Sequence, residues 1–163
     1  MPSITYTPIG TIHSPFEKPQ GTPIQPVAAR DAPGRVELRP EFVEGLRDLE
    51  GFSHLILLYH FHLSEGYDLT VTPFLDEVSR GLFATRAPRR PNPIGLSVVR
   101  LERIEGTTLY LLDVDVVDGT PLLDLKPYVP IFQNSDVVRV GWLEGKSREA
   151  RERRADERFL GKA

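Results

Sequence analysis

The sequence predicts a mainly β protein: a small antiparallel β-barrel with one short helix and a charged C-terminal helix. Three observations carry that reading. Fifteen prolines and thirteen glycines among 163 residues are too many helix breakers for a bundle. Several short runs alternate apolar and polar residues with the period of a strand. Tight turn signals join these runs, and many short strands with little helix favour a sheet curled on itself.

The elements follow in chain order. Alternation predicts a first strand over Ile4 to Ile12. Pro19 to Pro33 is the one long irregular stretch, punctuated by Gly21, Pro23 and Pro26; ordered loops of this length are usually functional or flexible. Strands are then expected at Arg35 to Leu38, Leu55 to Leu63, Leu69 to Thr72, Ile94 to Ile104 and Thr108 to Val117. Gly106 joins the last two as a short hairpin turn would. Glu41 to Leu49 reads as a short helix with Phe42, Leu46 and Leu49 on one side. Ser147 to Leu160 reads as a longer one: Ser147 can cap it, Glu149 suits the N-terminal dipole, and Glu149 and Arg153 make a favourable i,i+4 pair.

Composition sets limits. The chain is 40% hydrophobic and 26% charged, as expected of one soluble globular domain spanning residues 1–163. No run approaches the length of a membrane span, and residue 1 opens no signal-like segment. The absence of cysteine excludes disulfides, thiolate metal sites and cysteine nucleophiles. A cytoplasmic location is the default expectation. Net charge is −3, but Lys146 to Ala163 carries seven basic and four acidic residues. Basic charge is therefore concentrated in that tail and in one internal loop.

That loop lies in Gly81 to Leu101, GLFATRAPRRPNPIGLSVVRL. Arg86, Arg89 and Arg90 sit among Pro88, Pro91 and Pro93, each of which fixes its own φ and extends the residue before it. A stiff arginine loop suits a carboxylate or phosphate, which guanidinium groups hold bidentately. A solvated proline-rich turn is the plainer alternative. Gly145-Lys146-Ser147 imitates the end of a phosphate-binding loop, but Gly141 and Gly145 are separated by three residues where the pattern needs four. No GxGxxG supports a Rossmann-type site. His60 and His62 stand two apart, so a strand would aim both at one face. They are metal ligands if a carboxylate and a third imidazole join them, as His54 could, or structural histidines otherwise. Asp113 and Asp115 share one strand face, where a carboxylate suits ribose hydroxyls or a sulfonium; Asp118-Gly119 is a turn signal, and a turn or a site role each accounts for Asp118. Asp124, Lys126 and Tyr128 alternate as a strand edge broken by Pro127 and Pro130.

Four blocks, in order, resemble one family: IGTIHSPF (Ile9 to Phe16), GLRDLEGFSHLILLYHFH (Gly45 to His62), the arginine-loop segment, and DGTPLLDLKPYVP (Asp118 to Pro130). They look like the TsaA-like (TrmO) family of S-adenosylmethionine-dependent tRNA methyltransferases, and the likeness reaches across most of the chain. The resemblance implies a β-barrel, S-adenosyl-L-methionine as cofactor, and N6-methylation of N6-threonylcarbamoyladenosine at position 37 of tRNA. It implies a homodimer with the cofactor site near the subunit interface. It also implies cofactor contacts at Gln25, Pro26 and Val27 (within PIQP and the residue after it), His62, Leu63, Arg86, Val98 and the stretch Asp115, Val116, Val117 and Asp118. His62 and Asp118 are the candidate catalytic bases; Arg89 and Arg90 are candidates for tRNA phosphate or the threonyl carboxylate. Longer relatives carry a further C-terminal domain, where this sequence has its charged tail. Two other readings stay open: a non-catalytic module that binds S-adenosylmethionine, and a metal enzyme built on His60 and His62.

Overall fold

Alternation becomes a closed barrel because each strand has one apolar face and no sheet edge is left unpaired. The computed structural model describes residues 2–132, 138–146 and 149–159. Its strands are β1 (Gly10–His13), β2 (Pro33–Leu38), β3 (His54–His60), β4 (Thr70–Val71), β5 (Arg80–Gly81), β6 (Ile94–Glu105), β7 (Thr108–Leu112) and β8 (Thr120–Pro127). Six of them close in the order β1-β2-β7-β6-β3-β8, with β8 pairing back onto β1. Every barrel pairing is antiparallel. β4 and β5 form a separate two-stranded sheet.

The side-chain period of two sorts β3 cleanly. Leu55, Leu57 and Tyr59 point into the barrel, while His54, Ile56, Leu58 and His60 lie on the less buried face. Neighbouring β6 turns Gly95, Ser97 and Val99 inward. With Ile12, Val36, Leu109, Leu111 and Leu122, the side chains of Leu55, Leu57, Tyr59 and Val99 make one core. Gly106 (φ 60°) turns β6 into β7 through a two-residue connection, the hairpin its sequence predicts.

Differences from the expected elements have local causes. β1 begins at Gly10 rather than Ile4: Pro8 lacks a ladder donor, and Ile4 and Tyr6 are exposed. β3 ends at His60, so His62 lies in the following turn. β7 stops at Leu112 because Asp113 takes a left-handed conformation (φ 66°). Asp124 and Lys126 belong to β8, with Tyr128 just past its end; the strand begins at Thr120 and closes the barrel. The helix expected near 41–49 is a 3-10 helix, Pro40–Leu46, followed by a second turn at Leu49–Gly51.

The tail differs most. In place of one helix over 147–160, the described residues hold two 3-10 turns, Glu149–Arg151 and Glu157–Phe159; Ser147 and Leu160 lie outside the described residues. Between the turns the backbone bonds elsewhere. The Ala155 N–H donates to Thr22 O (2.9 Å), and Ala155 O accepts from the Gly21 N–H (2.8 Å). These bonds to the 19–28 loop replace intrahelical ones, and a helix with so thin an apolar stripe had little packing to oppose them.

Candidate active site

A cavity of about 380 Å³ opens at the end of the barrel where β3 leaves and β6 enters. Segments far apart in sequence wall it. The β3 exit gives Tyr59, Phe61, His62 and Leu63; the β6 entrance gives Ile94, Gly95 and Leu96. The β7–β8 connection gives Asp115, Val116 and Val117, and the first residue of β8 gives Thr120; the long loop gives Thr22, Pro23 and Gln25. Arg86 and Arg90 reach it from the arginine loop, and Ala155, Asp156 and Phe159 from the tail. Apolar walls with a few converging polar groups suit a small organic ligand, and the volume falls within the range usual for such sites.

A buried polar chain stands behind one wall. Ser97 Oγ donates to Asp115 Oδ1 at 2.6 Å, and Tyr59 Oη lies 3.0 Å from Ser97 Oγ. A serine hydroxyl has one hydrogen. Because Ser97 gives its hydrogen to Asp115, Tyr59 must donate to Ser97. Burial pushes the Asp115 carboxyl up to about 6, partly opposed by the Ser97 bond and the charge of Arg86. Burial and then the Asp115 charge raise the Tyr59 phenol well above its usual range, so it stays protonated. The tyrosine ring fits because Gly95 lies directly opposite in the ladder: a Cβ there would sit 2.2 Å from the ring.

His62 is oriented by a second hydroxyl. Thr120 Oγ1 donates to Val117 O (2.7 Å) and lies 3.3 Å from His62 Nδ1. With its hydrogen committed, Thr120 accepts, which puts the imidazole proton on Nδ1 and the free lone pair on Nε2. Burial, then the neighbouring His60, lowers the His62 pKa. The ring is therefore neutral and basic at neutral pH.

The expected site residues divide. Gln25, His62, Leu63, Arg86, Arg90, Asp115, Val116 and Val117 come together around the cavity. Arg86 Nη1 donates to Gln25 Oε1 at 2.9 Å, tying the arginine loop to the long loop. Pro26, Val27, Val98, Arg89 and Asp118 do not line it. Val98 sits two residues along β6 from the lining Leu96, and Val27 is exposed. Arg89 binds Glu65 O (3.1 Å) and Asp68 (3.2 Å), bracing the loop after β3. Arg90 donates to the carbonyls of Thr85 and Ala87. Asp118 accepts from the Ser14 amide and pairs with His13, both at 3.1 Å. Burial alone would raise its pKa, but the Ser14 amide and then His13 outweigh burial, and the net shift is down. Asp113 parts from Asp115 at its left-handed turn and clasps Arg100, with contacts of 2.6 and 2.9 Å. Among the described residues no group of three His, Asp or Glu side chains converges as metal ligands would.

Sequence reading missed Tyr59, Ser97, Thr120 and the tail residues. Ser97 had left a trace: a hydroxyl on the inward face of an otherwise apolar strand must find a buried partner. The tail left none, since its contact with Gly21 and Thr22 is through backbone.

The fold and site together define a class: a small antiparallel barrel with a cofactor-sized cavity where strand ends and crossing loops meet. Comparison with known proteins makes this specific. The family described as tRNA-methyltransferase O N-terminal domain matches residues 11–134, and the chain belongs to that family. A Pyrococcus abyssi protein named "Probable S-adenosyl-L-methionine-binding protein" is 56% identical over 157 residues, covering 96% of this chain and 85% of that one. The Escherichia coli protein named tRNA (adenine(37)-N6)-methyltransferase is 38% identical over 144 residues, covering 82% of this chain and 61% of its own length. A crystal structure of TrmO from P. aeruginosa matches with a TM-score of 0.73 at 42% identity, over 88% of this chain and 63% of that one. The chain thus spans most of the archaeal relative but under two thirds of the bacterial ones.

Proposed function

We propose that this protein is an S-adenosylmethionine-dependent tRNA methyltransferase that methylates N6 of N6-threonylcarbamoyladenosine at position 37. The observation that carries the reading is the convergence of His62, Arg86 and Asp115, far apart in sequence, on one cavity. The names of the Escherichia coli relative and of its mouse counterpart, 40% identical over 140 residues, support the reaction and the adenine position.

The residues present fit the cofactor. Asp115 offers a carboxylate to a cationic group, Arg86 a guanidinium to a carboxylate, and Phe61, Leu63 and Ile94 apolar surface to a base. Bound there, S-adenosylmethionine supplies an electrophilic methyl group. The chain must then position the adenine nitrogen in a dry cavity and accept its proton. His62 is the better base of the two candidates: its Nε2 is unprotonated and it lines the cavity, whereas Asp118 is engaged outside it. Arg90, held by two carbonyls at the rim, is placed for an anionic substituent of the substrate.

A homodimer belongs to this proposal. Leu63, Ile94 and Leu96 at the cavity rim are 50%, 41% and 47% exposed, and a second copy would cover them and complete the wall. The protein acts in the cytoplasm, beside its tRNA, as one barrel domain with the tail as a strap. No helix among the described residues is long and apolar enough to cross a membrane.

The test is to incubate the protein with labelled S-adenosylmethionine and tRNA from cells lacking the modification, then identify nucleosides by mass spectrometry. Methylated threonylcarbamoyladenosine is the expected product. Cofactor binding without transfer to any tRNA nucleoside would instead favour the binding-only reading that the name of the Pyrococcus relative describes.

A further inference from the structure

The two basic segments, separate in sequence, meet on one rim of the cavity. Arg86 is tied to Gln25, in the long loop. On the other side of that loop, Arg154 forms a backbone bridge with Pro23, and the turn ending at Arg151 packs beside the turn Pro26–Ala28. Arg30 follows the same turn, and Arg90 lines the cavity.

Ion pairing distinguishes these arginines from several others. Arg80, Arg89, Arg100 and Arg158 are each neutralised by a carboxylate: Asp76, Asp68, Asp113 and Asp156 respectively. Arg30, Arg86, Arg90, Arg151 and Arg154 make no ion pair among the described residues. Glu149 and Glu152, on the tail turn itself, form none with them either. Arg30, Arg86, Arg151 and Arg154 are exposed. Unpaired guanidinium groups gathered at the mouth of a site form the electrostatic footprint of a polyanion, although the whole chain is acidic at −3.

We propose that the tail side of this rim, Arg151 and Arg154, grips the RNA phosphates flanking the nucleotide inserted in the cavity, while Arg86 faces the cofactor. The proposal rests on the tRNA reading above and adds where the backbone runs. The tail thereby does two jobs: Ala155 and Phe159 wall the cavity, while Arg151 and Arg154 face outward to the phosphates. Such contacts hold register without reading sequence, and each releases condensed counterions.

The test measures binding of an unmodified anticodon stem-loop by fluorescence anisotropy across a salt series. The wild-type protein and Arg151→Ala/Arg154→Ala are compared, with Arg151→Lys/Arg154→Lys as the charge-conserving control. The alanine variant is expected to bind about tenfold more weakly at about 0.1 M salt, with the slope of log K against log salt shallower by about two. The lysine variant should recover most of both, and the loss in turnover should fall on KM for tRNA rather than on kcat. S-adenosylmethionine affinity, measured by calorimetry, should hold in both variants. An unchanged salt slope in the alanine variant overturns the proposal, as does arginine-dependent binding to phosphatidylserine vesicles with none to RNA. If wild type methylates tRNA but the variants bind it normally, the rim fails and the enzyme reading stands. If the stem-loop binds through these arginines but threonylcarbamoyl-modified tRNA is not methylated, the enzyme reading fails and the rim stands.

Discussion

At the scale of single residues, hydroxyl hydrogens decide the chemistry. Thr120 spends its one hydrogen on Val117 O, so it fixes His62 with its proton on Nδ1. Replacing His62 with Gln should lower kcat about a hundredfold, the usual scale for losing a general base. Thr120→Val should lower kcat/KM by about tenfold and move the acid limb of the pH–rate profile, because the ring is then free to turn. That limb should lie below the ordinary histidine value of 6.5, since burial lowers the His62 pKa; a limb at that value would show that the ring titrates as in solvent. Asp115 shifts the other way, from 3.8 up to about 6. A raised carboxyl pKa means the fold prefers the protonated form, so stability falls as pH rises from 3.8 through 6. Asp115→Asn should therefore melt above wild type at pH 8, and the gap should close towards pH 4. The same proton must leave when a cation binds beside Asp115. Cofactor affinity is expected to fall about tenfold per pH unit below 6 in wild type but not in Asp115→Asn, as calorimetry across pH would show.

At the scale of elements, packing between strands and the seating of the tail matter most. Gly95 is the residue that lets Tyr59 cross the barrel wall towards Ser97. Gly95→Ala should destabilise the protein by about 1–3 kcal/mol, the range for overpacking a core. Urea unfolding would read this, together with weaker cofactor binding as the Tyr59–Ser97–Asp115 chain is displaced. The tail is fastened by a different cluster. The Asp76 side chain is largely covered and receives Arg80 at 2.7 Å and Lys146 at 3.0 Å. Trp142 lies against both cations and donates to Ala84 O at 2.8 Å. Lys146, then Arg80, hold the Asp76 carboxyl well below the usual carboxylate range. Phe159 completes the join, edge-on to Phe74 at 4.9 Å. Asp76→Ala should loosen the strap, read as faster tryptic cleavage around Arg151 and Arg153 and a raised Kd for the cofactor. Wild-type cleavage kinetics in that variant would show that the strap is held without Asp76, by Phe159 and the Ala155 backbone bonds.

At the scale of the whole molecule, closure sets what remains exposed. The barrel removes its own sheet edges, so the large apolar side chains still exposed near the cavity, Leu63, Ile94 and Leu96, are what a second copy would cover. Leu96→Glu should convert the proposed dimer to a monomer, read by light scattering. A wild type that is monomeric under active conditions would overturn the dimer.

Alternation was legible wherever one face of a strand was buried. β3 alternates from Leu55 to His60 and β6 from Ile94 to Val99 as their sequences predict, and Gly106 marks the hairpin from β6 to β7. The Pro-Arg stiffness of residues 86–93 was equally plain, as were the family blocks that led to Gln25, His62, Arg86 and Asp115. Local chemistry could not say how arginines are shared among carboxylates. Arg89 and Arg90 look alike in sequence, yet Arg89 meets Asp68 and Arg90 meets two carbonyls. Nor could it separate Asp113 from Asp115, since their partners, Arg100 and Ser97, are fixed by the β6–β7 register. The tail was decided outside its own sequence. Its helix signals are local, but the backbone groups of Gly21 and Thr22, more than a hundred residues away, took its hydrogen bonds. Sequence alone determined the barrel and the residue types of the site, because burial periodicity and proline stiffness act over a few neighbouring residues. Only the tertiary structure decided which charges are neutralised and which stay free at the cavity, because ion pairs and buried hydrogen bonds are made between segments that only the closed barrel brings together.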